Sequence, residues 1–118
     1  MPRPQKCRRI CDMPKCRRFG PLGEGLNNLP VITMTVDEFE SIRLIDSEGL
    51  SQEECAEQMM VARTTAQAIY ASARAKLAEC LVNGMQLTIR GGNVVLCGGN
   101  SGRCCCCHKK HPAIEKQD

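Results

Sequence analysis

The sequence is poor in aromatic residues, which make up 3% of its 118 residues, and it contains no tryptophan. Its core must therefore be built from aliphatic residues and methionine. No apolar run approaches the roughly 18 residues of a membrane span. The opening stretch, MPRPQKCRRI, lacks the apolar segment and cleavage site of a secretory signal. These absences predict a cytoplasmic protein with one modest domain and no membrane partner.

The signatures of an enzyme are missing as well. We find no glycine-rich phosphate loop, no paired-carboxylate cleft and no cofactor fingerprint. A reactive thiol would need a base and an orienting partner in a formed pocket. We therefore expect no enzymatic activity.

Cysteine, by contrast, is abundant, with ten residues in the chain. In a reducing compartment, clustered cysteines favour metal or redox chemistry over disulfides. The stretch SGRCCCCHKKH contains Cys104 and Cys107 at a spacing that lets two thiolates bind one ion, and His111 follows four residues later. Neighbouring side chains of an extended chain point apart, so Cys105 and Cys106 are not needed for this site.

Three further cysteines, Cys7, Cys11 and Cys16, lie near the N-terminus, and a composite site would combine them with a ligand from the tail. The alternative is a set of reduced surface thiols. The sequence leaves open whether any metal binds, and sulfur-rich ligands suit either zinc or an iron–sulfur cluster. Cys55 and Cys80 lie on apolar helical stripes and are predicted to be buried.

Charge is strongly segregated along the chain. Residues 1–18 carry seven Lys and Arg against one Asp, whereas residues 35–58 carry eight Asp and Glu against Arg43. This segregation suggests a polyanionic partner for the basic parts. The N-terminal segment either follows nucleic-acid phosphates, stays solvated, or packs on the acidic helices of its own chain. In the last case, deletion of residues 1–18 should raise the affinity for DNA.

The chain divides into four parts and is predicted to be mainly α-helical. Residues 1–34 read as an irregular basic arm, residues 35–83 as helices, and residues 98–118 as a flexible tail rich in Cys and His. Residues 84–97 predict a β-hairpin that turns at Gly91-Gly92-Asn93.

Two capping boxes mark helix starts in the helical part. Thr35 with Glu38 opens a helix that runs to about Ser47, and Gly49 ends it. The residues that this helix should bury are Val36, Phe39, Ile42 and Ile45. Ser51 with Glu54 opens a short helix over residues 52–59, with Cys55, Ala56 and Met59 inward. A third helix runs from near Arg63 to about Val82 with Gly84 as its stop, and its inward stripe is Ala66, Ile69, Ala73, Leu77 and Cys80.

A short helix, a three-residue turn and a longer helix form the helix-turn-helix pattern. The outer face of the third helix offers Arg63, Thr64 and Gln67 to base edges in the major groove. Thr65 serves either a phosphate or the helix start, and Arg74 and Lys76, farther along the helix, are better placed for phosphates. The alternative is an ordinary three-helix bundle with a solvated polar face. Met60 at the turn and Ala62 at the helix start are not the residues that favour this geometry.

Several blocks, in order, resemble one family: MPRPQKCRRICDMPKCRRFGP, MTVDEFESIRLIDSEGLSQEECAEQM, VARTTAQAIYASARAKLAECLVNG and IRGGNVVLC. They are similar to uncharacterised protein family 0251, also called domain of unknown function 134, which comprises predicted DNA-binding proteins of bacteria and archaea. The resemblance covers residues 1–97. It implies a helical core similar to region 4 of sigma-70-type factors, which reads a promoter element, and a regulatory role.

Together these features predict a sequence-specific DNA-binding protein, a transcriptional regulator whose third helix, residues 63–82, enters the major groove. The partner is double-stranded DNA. A homodimer is expected because one small helix-turn-helix has limited affinity for DNA and symmetric half-sites are common. The alternative is a metal-binding or redox-sensing protein that uses the helical domain for protein contacts.

Overall fold

A computed structural model describes residues 7–23 and 28–96. Within these ranges the chain forms three α-helices and five short strands. None of these helices is long and apolar enough to cross a membrane. In chain order the elements are β1 (Arg8–Ile10), β2 (Arg18–Phe19), β3 (Val31–Met34), α1 (Val36–Ile42), α2 (Gln52–Met59), α3 (Arg63–Asn83), β4 (Gln86–Ile89) and β5 (Val94–Leu96).

Both predicted capping boxes are present. The Thr35 side chain accepts a hydrogen bond from the Glu38 backbone N–H, and the Glu38 carboxylate accepts one from the Thr35 backbone. Ser51 and Glu54 make the same reciprocal pair at the start of α2. A π-helical turn, Arg43–Ser47, continues α1 to the residue that the sequence predicted. These local signals are therefore sufficient to place the helix starts.

The third helix also has its predicted bounds. It ends at Gly84, whose φ of 64° suits a left-handed C-cap. Four residues of its predicted inward stripe are buried, and the fifth, Leu77, is partly buried against the same core. Cys55 and Cys80 are buried, as their positions on apolar stripes predicted.

A three-stranded sheet in the order β2-β4-β3 packs beside the helices. The central strand, β4, runs antiparallel to β2 and parallel to β3. Its alternation places Leu87 and Ile89 in the core, where they meet Met34 of β3 together with residues of α1 and α3. A second, smaller core between α2 and α3 contains Leu44, Cys55, Met59 and Ile69.

The predicted hairpin at residues 84–97 is wrong, although both of its strands exist. β4 joins the three-stranded sheet, whereas β5 pairs in parallel with β1, about eighty-five residues away along the chain. Gly91 and Gly92, with φ values of 78° and 100°, carry the chain past the start of α1, where the Val36 N–H donates to the Gly91 carbonyl at 3.0 Å. A Cβ on Gly92 would lie 2.7 Å from Asp37 Oδ1. This close approach directs β5 away from β4.

The N-terminal segment is more ordered than the predicted irregular arm. Its residues 8–10 and 18–19 form β1 and β2, and Ile10 is 1% exposed within the main core. The reason is tertiary, because two strands from the C-terminal part, β5 and β4, offer hydrogen-bonding partners to these short runs. The segment is therefore an integral part of the fold.

The connection between α2 and α3 consists of residues 60–62. Met60 adopts a left-handed conformation with φ 58° and ψ 48°, and it is the one non-glycine residue with positive φ in the described ranges. Its backbone N–H bonds to carbonyls of α2, and the Val61 N–H bonds to the Ala56 carbonyl at 3.0 Å. Ala62 precedes α3 without a side-chain cap. The turn therefore forms despite the two unfavourable residues.

Candidate nucleic-acid interface

The start of α3 presents the side chains that the sequence assigned to base edges. Arg63, Thr64 and Gln67 are exposed, and Thr65 is half-buried. Ala66 is fully buried in the same two turns and anchors the opposite side of the helix. The structure therefore brings three of the predicted contact residues to one outward surface.

The electrostatics of this helix start favour an anion. The first turn of α3 contains no acidic residue, and Ala62 supplies no side-chain acceptor to its backbone N–H groups. The N-terminus of a helix carries partial positive charge and outward-pointing N–H donors. Arg63 adds a full charge at the same place.

Arg74, farther along α3, is part of an exposed polar cluster. Its Nη1 donates to the Tyr70 hydroxyl at 2.6 Å and to Asp46 Oδ1 at 3.3 Å, and the Tyr70 hydroxyl donates to Asp46 Oδ1 at 2.8 Å. The guanidinium carbon lies 5.5 Å from the centre of the Tyr70 ring. The hydrogen bond to Tyr70, with the charge of Asp46, raises the pKa of Arg74. These contacts hold the guanidinium on the outer side while its side chain stays 57% exposed.

Lys76 forms an ion pair with Glu38 of its own chain. Its Nζ lies 2.8 Å from Glu38 Oε1 on α1, and the Ser72 hydroxyl donates to Glu38 Oε2 at 2.6 Å. Burial raises the pKa of the Glu38 carboxyl, but hydrogen bonds from Lys76, Ser72 and the Thr35 backbone lower it further, so the pKa lies below its ordinary value. A phosphate contact by Lys76 would compete with this internal pair.

The basic N-terminal segment packs partly on its own chain. Arg8 Nε lies 3.7 Å from Asp37 Oδ2, and Arg9 Nε donates to the Gln58 carbonyl at the end of α2, at 2.8 Å. The Cys11 backbone N–H donates to Glu40 Oε2 at 3.1 Å. The segment therefore contacts carboxylates of α1, whereas the Arg9 contact with α2 is to a backbone carbonyl. Lys15, Arg17 and Arg18 remain exposed.

The cysteines near the N-terminus are not gathered into a metal site by the described residues. Cys7 Sγ donates to Asn93 Oδ1 at 3.1 Å, and Cys16 Sγ donates to the Arg18 carbonyl at 3.2 Å. Across residues 7–23 and 28–96, no group of three or more His, Cys, Asp or Glu side chains is placed to hold an ion. The predicted tail ligands Cys104, Cys107 and His111 lie outside the described residues.

Sequence reasoning missed the partners of Arg74. Tyr70 precedes it by one helical turn, which is a spacing at which two side chains meet, and this signal could have been used. Asp46 comes from the π-helical turn after α1, 28 residues earlier, and no local pattern reveals that contact. A second missed feature is an apolar groove beside the C-terminal half of α3.

Comparison with known proteins places the chain in a family. A UPF0251 protein of Desulfitobacterium hafniense strain Y51 is 56% identical over 104 residues, which are 88% of this chain and 83% of that protein. A UPF0251 protein of Chlorobaculum tepidum is 52% identical over 96 residues, 81% of this chain and 49% of that protein. No solved structure matches the chain. The family model described as a protein of unknown function, DUF134, matches residues 1–96, so the chain belongs to the DUF134 (UPF0251) family.

Proposed function

We propose that this protein binds double-stranded DNA sequence-specifically as a transcriptional regulator, with the first turns of α3 in the major groove. In this proposal α2, residues 60–62 and α3 act as a helix-turn-helix similar to region 4 of sigma-70-type factors. The observation that carries the proposal is the exposed surface of Arg63, Thr64 and Gln67 at the start of a helix whose other side is fixed in the core.

The three side chains suit base recognition. An arginine fork matches guanine O6 and N7, a glutamine amide matches adenine N6 and N7, and a threonine methyl can contact the methyl of thymine. Residues near the N-terminus of a recognition helix reach the bases first. The uncapped N–H groups of the same turn then suit a neighbouring phosphate.

The acidic residues of α1 do not oppose this function, because cations of the same chain pair with them. Arg8 lies against Asp37, Lys76 against Glu38, and Arg43 against Glu40 at 2.7 Å. These carboxylates are buried, which limits the repulsion that they would exert on DNA phosphates.

Binding-site selection followed by affinity measurements on the selected and on random DNA tests the proposal. Arg63→Ala and Gln67→Ala should each reduce discrimination between the selected sequence and its single-base variants by about 1–3 kcal/mol. Arg74→Ala should weaken binding to every sequence alike and reduce the salt dependence by about one charge. Arg90→Ala, which removes an exposed arginine outside α3, is the matched control and should leave base preference unchanged.

Two outcomes would contradict the proposal. One is a failure of selection to enrich any sequence. The other is an equal loss of affinity on selected and random DNA for both Arg63→Ala and Gln67→Ala, which would remove α3 from base recognition even if the protein binds DNA.

A further inference from the structure

The C-terminal half of α3 is apolar on two opposite sides. Its inner side contributes Ala73, Leu77 and Cys80 to the core. Its outer side is also apolar: Leu81 is 73% exposed and Val82 is 82% exposed. Ala78, one helical turn before Val82, is also exposed and extends this apolar surface, which ends before the charged side chain of Arg74.

The outer surface is continuous with a groove of about 460 Å³ between α1, α3 and the three-stranded sheet. Its floor includes Met34 and Ile89, both 1% exposed, and its rim includes Phe19 and Leu81. No charged side chain lines it. One surface therefore carries both a concave apolar part and a convex apolar part, and they meet at Leu81.

Such a surface can pair with itself. In a two-fold dimer the same patch is used by both copies, so a protruding part on one must meet a recess on the other. Leu81 and Val82 are the protruding part, and the groove is the recess. Large exposed apolar patches on small proteins commonly mark such interaction sites.

The area is sufficient for a stable dimer. The exposed parts of Leu81, Val82 and Phe19, together with Ala78, amount to on the order of 400 Å² of apolar surface on each copy. Two copies would cover about 800 Å² of apolar surface, and interfaces are roughly 57% apolar. The total is about 1,400 Å², within the range of roughly 1,200–2,000 Å² for specific interfaces.

We infer that a second copy of this chain covers the surface formed by Ala78, Leu81, Val82 and the adjoining groove. The association does not require DNA binding. It also leaves the start of α3 free, because Gln67 and Ala78, the nearest residue of this surface, are separated by eleven residues of helix, or about 16 Å.

Sedimentation velocity on the full chain under reducing conditions, without DNA, tests the inference. Reduction prevents cysteine cross-links from mimicking an interface. The wild-type chain should form a dimer that dissociates on dilution. Leu81→Glu and Ala78→Glu should each raise the dissociation constant about 100-fold or more, since each places a charge in an apolar contact.

Val31→Glu is the matched control, because Val31 is 51% exposed and does not line the groove. It should leave the dimer intact. Circular dichroism and thermal unfolding establish that each variant is folded. If Leu81→Glu does not fold, Ala78→Glu alone tests the interface, since Ala78 is outside the groove.

A wild-type chain that stays monomeric at the highest attainable concentration would overturn the inference. So would a dimer that both glutamate variants leave unchanged. Native mass spectrometry supplies a third outcome: a monomer with a small apolar molecule bound would assign the groove to a ligand instead. Because no DNA is present, none of these results depends on the proposed DNA-binding function.

Discussion

At the scale of single residues, Met60 departs most clearly from its preferred geometry. It closes α2 in the left-handed region, where an L side chain with a Cβ is strained. Met60 is 52% exposed, so packing of its side chain offsets little of this strain. The conformation persists because the Met60 and Val61 N–H groups satisfy carbonyls at the end of α2.

Met60→Gly should therefore stabilise the protein by about 0.5–1 kcal/mol, since glycine adopts positive φ without a Cβ clash. Urea unfolding followed by circular dichroism measures the change. The control is Ala68→Gly, an exposed position inside α3, where the same new residue should destabilise by about 1 kcal/mol. A loss of stability in Met60→Gly would mean that the Met60 side chain makes a stabilising contact that outweighs the strain.

The residues of the candidate interface show what sequence alone can supply. Arg63, Thr64 and Gln67 could be placed outward because the apolar stripe of α3 fixes which side faces the core. The partners of Arg74 and Lys76 could not be predicted. Both depend on how α1 and the turn after it lie against α3, and that arrangement is set by the tertiary core.

At the scale of elements, the helices followed from local signals, whereas the pairing of the strands did not. A capping box is complete within four residues, so Thr35 with Glu38 and Ser51 with Glu54 were sufficient to start two helices. A strand forms only when it pairs with another strand, and that partner can be distant in the sequence. Glycines between two short strands favour a hairpin only when no more stable pairing is available. Here β1 is the partner of β5, and contacts at that sequence separation leave no local signal.

The contact between α1 and α3 predicts a pH dependence. Glu38 is 8% exposed and receives hydrogen bonds from Lys76, Ser72 and the Thr35 backbone, and its pKa in the folded state is lower than the ordinary value of 4.5. A lowered carboxylate pKa means that the folded state favours the ionised form. The resulting stabilisation is present above pH 4.5 and is lost as the pH falls through the lower pKa of the folded state.

Glu38→Gln should lower the free energy of unfolding at neutral pH by about 1–3 kcal/mol, because hydrogen bonds to a charged group are replaced by weaker ones. The variant should also lose less stability than the wild type when the pH falls below 4.5. Urea unfolding at a series of pH values measures both effects. Glu79→Gln, which removes an exposed carboxylate from α3 and leaves the α1–α3 contact intact, is the control. Parallel pH profiles for wild type and Glu38→Gln would contradict the assignment.

At the scale of the whole molecule, the segregated charge of the sequence is partly neutralised by folding. The basic N-terminal segment contacts the acidic helix α1 through Arg8 and Asp37 and through the Cys11 N–H and Glu40. Deletion of residues 1–18 is consequently a poor test of whether this segment packs on the acidic helices, because it also removes β1, half of β2 and the buried Ile10. Among the described residues, the basic side chains that remain exposed are Lys15, Arg17 and Arg18 near the N-terminus, Arg63 and Arg74 on α3, and Arg90.

The proposed DNA surface and the proposed dimer surface lie at opposite ends of α3, and together they predict the form of the binding site. Arg63 and Leu81 are eighteen residues apart, or about 27 Å along the helix. Two copies joined at the Leu81 end would therefore present two separate reading surfaces. Half-sites read by a two-fold dimer lie about 34 Å apart, one turn of DNA, or a multiple of that distance.

Hydroxyl-radical footprinting on the selected DNA should accordingly show two protected segments on one face of the duplex, related by two-fold symmetry. Leu81→Glu should still protect a single half-site, but occupancy of one half-site should no longer assist the other, because the link between the copies is lost. Val31→Glu should retain the wild-type pattern. A single asymmetric footprint, the same for wild type and Leu81→Glu, would show that one copy reads DNA alone and would separate the DNA-binding surface from the dimer surface.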